Sequence, residues 1–259
     1  CDLEVDCAYL LYAPYAAVSS WVPDERYWGI EGKEIPRCGH LGFEEFSRSL
    51  QGAGYGFAMY ELEAATPAQL HASKAIAIQS AFFMGDAEQK RLAEFIEAGG
   101  RLYISGDLPE VDLRWEPCTV LKQAVEAATK QSGSKVVYRQ QNLFADGKFA
   151  EQLAAAGIQP SITYSADMRA YVHSGAEDAF VFFFNFDVSG THQKQIEFDG
   201  LKIELQVGSK TSGVLRIRDR QLVGWLVKGE NEVEGIKDEI RIRLGDEEVV
   251  ATGDFSSVE

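Results

Sequence analysis

Asp107, Glu110 and Asp112 crowd into one short segment, Gly106-Asp107-Leu108-Pro109-Glu110-Val111-Asp112. Paired carboxylates at such a spacing are what glycoside hydrolysis or a hard cation requires. The same residues beside Gly106 and Pro109 are equally at home as turn and capping groups. A second cluster is aromatic: Tyr15, Trp21, Tyr27 and Trp28 fall between Ala13 and Gly39. Flat rings stack on the apolar faces of sugars and anchor protein interfaces, and they also fold inward over their own domain.

Nucleophile chemistry has less support. The chain carries neither G-x-C-x-G nor G-x-S-x-G, the tight elbow that presents a Cys or Ser after a strand. Where an elbow is expected the sequence reads Phe82-Phe83-Met84-Gly85, and Ser105-Gly106 lacks the preceding glycine. His40 follows Cys38-Gly39, but residues so close in sequence seldom point at one atom; His71, His173 and His192 stand alone. Cys1, Cys7, Cys38 and Cys118 show no Cys/His metal spacing, so they read as reduced thiols of a cytoplasmic protein, with no metal and no cofactor expected. Gly99-Gly100 closes a helix and so is no phosphate loop.

The elements that must position these groups follow a change of grammar near Pro160. Residues 1–160 alternate strand and helix, the pattern of an open parallel sheet with helices on both faces. Cys7–Tyr12, Phe57–Leu62, Ala75–Met84, Arg101–Ser105 and Lys135–Tyr138 read as strands. Leu41–Ala53, a segment from Asp86 capped through Gln89, Thr119–Lys130 and Phe144–Ala156 read as helices. The segment Ala13–Gly39 is a long loop by this reading. In such a sheet ligands sit at the carboxyl ends of the strands, which is where the acidic and aromatic segments fall.

Residues 161–228 hold strand after strand, with Asp199-Gly200 an explicit hairpin turn, and point to a small antiparallel β-sandwich or barrel. Residues 229–259 read as a charged connector and the opening strands, Ile240–Leu244 and Glu248–Thr252, of a further, truncated β unit. The fold class is therefore α/β plus all-β. A start at Cys1 and a stop just after a strand lead us to expect a piece of a longer polypeptide.

A hydrophobic share of 46% excludes a disordered chain, and no apolar run reaches the length of a membrane helix. A formal charge of −15 with no basic stripe excludes nucleic acid as a partner.

The segment FFMGDAEQKRLAEFIEAGGRLYISGDLPEVD, Phe82–Asp112, resembles part of the bacterial β-galactosidases, in which a helix ending in a Gly-Gly pair leads into a strand and an acidic loop. CAYLLYAPY, GFEEFSRSLQGAGYGFAMYEL and Cys118–Lys122 are similar to the same domain, and FVFFFNFD, KQIEFDGLKIEL and VGWLVKGENE are similar to the small β domain after it. The resemblance implies a flavodoxin-like, class I glutamine amidotransferase-like trimerisation domain followed by a β-sandwich. The catalytic glutamates of such enzymes lie on strands of a preceding (β/α)₈ barrel, a pattern that this chain lacks. It thus implies a non-catalytic portion serving homo-oligomer assembly and the framing of a neighbouring active site. Two alternatives stay open: a carbohydrate-binding module for a galactoside using the aromatic loop and β domain, and a stand-alone amidotransferase-like hydrolase using Cys38 or Cys118.

Overall fold

The computed structural model describes residues 2–3, 5–21, 41–145, 147–228, 239–244, 247–252 and 256–257. The chain divides into two compact units. Val5–Leu50 with Phe57–Ile158 form an α/β unit, and Gln51–Gly56 and Gln159–Glu259 form, with the first four residues, a β unit.

In chain order the elements are β1 (Asp2–Leu3), β2 (Cys7–Leu11), α1 (Ala13–Trp21), α2 (Leu41–Gln51), β3 (Phe57–Glu61), α3 (Pro67–Ala72), β4 (Ala75–Ser80), α4 (Asp86–Glu97), β5 (Leu102–Gly106), α5 (Val120–Thr129), β6 (Val136–Arg139) and α6 (Phe149–Ala155). The strands β7 (Ile162–Tyr164), β8 (Met168–Ser174), β9 (Asp178–Asn185), β10 (Thr191–Phe198), β11 (Leu201–Gly208), β12 (Ser212–Arg218), β13 (Gln221–Lys228), β14 (Glu239–Leu244), β15 (Glu247–Thr252) and β16 (Ser256–Ser257) follow.

The α/β unit is built on a parallel sheet in the order β3-β2-β4-β5-β6. Its central strands are apolar on both faces because both are covered. Ala8, Leu10, Ile76, Ile78, Leu102 and Ile104 pack with Leu92 and Phe95 of α4 and Leu121 and Val125 of α5. On the opposite face Tyr9 and Tyr103 meet Phe46 of α2 and Phe149 of α6, with ring centroids 5.2 Å and 5.0 Å apart respectively. Gly106 ends β5 at φ +90°, and a Cβ there would sit 2.1 Å from the carbonyl oxygen of Ser80. Only glycine lets the central strands lie this close at their carboxyl ends.

Several expectations change here. The supposed loop opens with α1, whose short, weakly amphipathic run APYAAVSSW hides it from a periodicity search. The helix α3 is announced by a capping box: the Thr66 side chain accepts from the backbone N–H of Gln69, and Gln69 accepts in return from the N–H of Thr66. Asp86 is not a cap, since Gly85 holds that position; Gln89 is buried, donating to the Met84 carbonyl at 2.8 Å and accepting from the N–H of Leu121. The strand β4 stops at Ser80, and α6 begins only at Phe149.

The β unit has two antiparallel sheets, β1-β8-β9-β12-β13-β16 and β15-β14-β11-β10-β7. Alternate residues of both feed one core: Val181, Phe183, Leu215, Ile217 and Val227 from the first, Ile196, Ile203, Leu205, Ile242 and Leu244 from the second. Asp199 and Gly200 turn the β10–β11 hairpin at φ +47° and +66°, and Phe198 pairs with Leu201 across it. The reading of 229–259 as the start of a further unit is corrected. The strand β14 pairs with β11, Ile203 opposite Leu244, and β15 pairs with β14, because Ile242 and Leu244 complete the sandwich core.

Candidate functional site

The carboxyl edge of the parallel sheet is built by the residues that follow β2, β4 and β5. After β2 the chain turns at once into α1, and Tyr12 just before the helix and Tyr15 within it are each buried at 2% exposure. The Tyr15 hydroxyl donates to the Phe83 carbonyl at 2.7 Å, and the Tyr12 hydroxyl accepts from the Gly85 N–H at 2.9 Å. These two bonds tie the start of α1 to the segment after β4.

The segment after β5 is laced to that same stretch. The Phe82 carbonyl accepts from the Glu110 N–H at 2.7 Å, and the Met84 N–H donates to the Val111 carbonyl at 3.1 Å. Beyond it Asp112 shapes a tight turn, its Oδ1 accepting from the N–H groups of Arg114 at 2.7 Å and Glu116 at 3.0 Å. At the tip Trp115 takes φ +65°, a left-handed conformation rare for a bulky side chain. Its ring lies 5.8 Å from that of Phe82 and 6.2 Å from that of Phe83. Rings thus run in series from Tyr12 through Tyr15 and Phe83 to Trp115. The inner members are buried, whereas Trp115 and Leu113 are each about half exposed.

The three loop carboxylates do not converge. Asp107 accepts from the Gln140 side-chain amide at 3.2 Å, Glu110 pairs with the Lys122 ammonium at 2.9 Å, and Asp112 serves its turn. Among the described residues no three His, Cys, Asp or Glu side chains are grouped to hold a metal ion. Tyr15 belongs to the core of the α/β unit and not to an exposed aromatic loop, because its ring packs on Tyr12 and Phe83. Trp21 ends α1, and its side chain lies outside the described residues, as do Tyr27, Trp28, Cys38 and His40.

Acid–base and nucleophile chemistry finds little here. Burial, opposed by the Gly85 N–H and reinforced by the Glu88 and Glu63 carboxylates, pushes the Tyr12 phenol up to about 12. Burial and the Asp86 and Asp112 charges raise the Cys118 thiol, which donates to Asp86 at 3.6 Å, so it is a thiol and not a thiolate at neutral pH. Cys7 is fully buried and pushed up further. Ser105 is buried, and its hydroxyl meets no hydrogen-bond partner among the described residues. What the arrangement can do is present a rigid apolar tip, Leu113 and Trp115, from a buttressed turn. The residues that sequence reasoning missed, Leu113 and Trp115, lie between Asp112 and Pro117, a pair that signals a turn but not an exposed ring.

A family model described as GLMA-like, second domain, matches residues 27–177. A β-galactosidase from Rahnella sp. R3 has a similar fold, with a TM-score of 0.57 at 11% identity over 83% of this chain and 41% of that one. Gan42B, a GH42 β-galactosidase from G. stearothermophilus, gives a TM-score of 0.58 at 11% identity over 84% of this chain and 41% of its own. In sequence, a β-1,2-glucosyltransferase of Ignavibacterium album is 34% identical over 96 residues, which are 36% of this chain and 13% of that protein. The chain thus spans well under half the length of these relatives.

Proposed function

The chain belongs to the GLMA-like second-domain family, and from that premise we propose that it is a non-catalytic accessory portion of a longer glycoside hydrolase of the β-galactosidase type, serving subunit assembly and the framing of a neighbouring active site. The observation that carries the proposal is the carboxyl edge of the parallel sheet. Its carboxylates, phenols and described thiols are committed to local bonds or held protonated, while its turn holds Leu113 and Trp115 out to solvent. Such a tip frames a site on a neighbouring domain or subunit, where an aromatic ring anchors best once water is excluded around it.

The strand order β3-β2-β4-β5-β6, counted within the unit as 2-1-3-4-5, supports a flavodoxin-like reading of the sheet. The free thiols Cys7 and Cys118 support a reducing compartment, the cytoplasm. No helix among the described residues is long and apolar enough to cross a membrane.

The test is an activity assay on the 259-residue chain with aryl β-galactosides. No turnover is expected. Turnover that disappears in Asp107→Asn or Glu110→Gln would overturn the accessory reading and return catalysis to this loop. In the longer protein, Trp115→Ala is expected to raise KM or lower kcat without unfolding the chain; unchanged kinetics would remove the turn from the neighbouring site.

A further inference from the structure

We draw no further inference here: the strongest candidate, the outward face of the six-stranded sheet around Phe184, Phe186 and Arg169, carries nothing, because nothing in the structure shows what covers it.

Discussion

The α/β unit and the β unit use the same residue types to opposite ends. In the first, aromatic rings are drawn inward: Tyr9, Tyr12, Tyr15, Phe46, Phe144 and Phe149 are all buried, and among the described residues the Asp112 turn sets Trp115 out. In the second, β9 divides its phenylalanines by parity, Phe183 filling the sandwich and Phe180, Phe182 and Phe184 left on the outer face. The difference follows from coverage. A parallel sheet with helices on both faces has no open side on which to spend an aromatic residue, whereas an antiparallel sheet in a sandwich always has one. An aromatic residue on a strand can therefore face outward in the β unit, whereas in the α/β unit a turn has to carry it out, as at Trp115.

The sharpest way to break this comparison is the pair Phe183 and Phe184, neighbours on one strand. Phe183→Ala should cost about 3–5 kcal/mol in chemical denaturation, as a fully buried ring does, while Phe184→Ala should cost about 1 kcal/mol or less. Equal losses would show that the outer face is covered. In the α/β unit, Gly106→Ala should cost about 3 kcal/mol or more, since its new methyl meets the Ser80 carbonyl in a left-handed backbone. A wild-type unfolding midpoint would mean that the central strands can separate at their carboxyl ends.

Tyr15→Phe should lose about 1 kcal/mol through the hydroxyl that holds Phe83, measurable as a lower denaturation midpoint with unchanged near-ultraviolet dichroism. No loss would make that bond dispensable to the edge. The smallest effect belongs to Asp178, which hydrogen bonds from Arg218 and Arg216 lower to about 2. A carboxyl depressed in the folded state contributes stability above its unfolded value near 3.9, and that contribution is lost as pH falls through about 2. Asp178→Asn should therefore lower stability at neutral pH, where the contribution is fully present, and flatten the acid limb of the stability profile between about pH 4 and pH 2, where the wild type loses it. An unchanged acid limb would mean that the arginine pair does not hold this carboxylate in solution.

Much of the fold was legible because its signals are local. The apolar runs Cys7–Tyr12, Ala75–Met84 and Arg101–Ser105 read as strands of a parallel sheet, in which Cys7–Leu11, Ala75–Ser80 and Leu102–Gly106 are the strands formed, and Asp199-Gly200 set its hairpin unaided. The rest depended on partners distant in sequence. Nothing within Glu239–Leu244 says that β11 is its neighbour, and nothing in APYAAVSSW marks a helix apart from the tyrosines it must bring to Gly85 and Phe83. The candidate site was legible in place but not in role. The acidic segment does lie at the carboxyl edge, yet Asp107, Glu110 and Asp112 each serve a local partner, Gln140, Lys122 and the backbone of the turn, that charge counting cannot assign. Trp115, beside that turn, went unnoticed because exposure is a property of packing and not of residue type.

The pairing of β1 with β8, Asp2 opposite Ser174 and Leu3 opposite His173, also sets a schedule for biosynthesis. A ribosome that adds about 5–20 residues per second leaves β1 without its strand partner for on the order of ten to thirty seconds. During that wait the α/β unit, complete by Ile158, can fold between them. Pairing β1 with β8 then closes a long loop, an entropic cost that grows only slowly with length. A chaperone that shields β1 early would be felt as a delay in its pairing with β8 and not as a failure of the α/β unit to form.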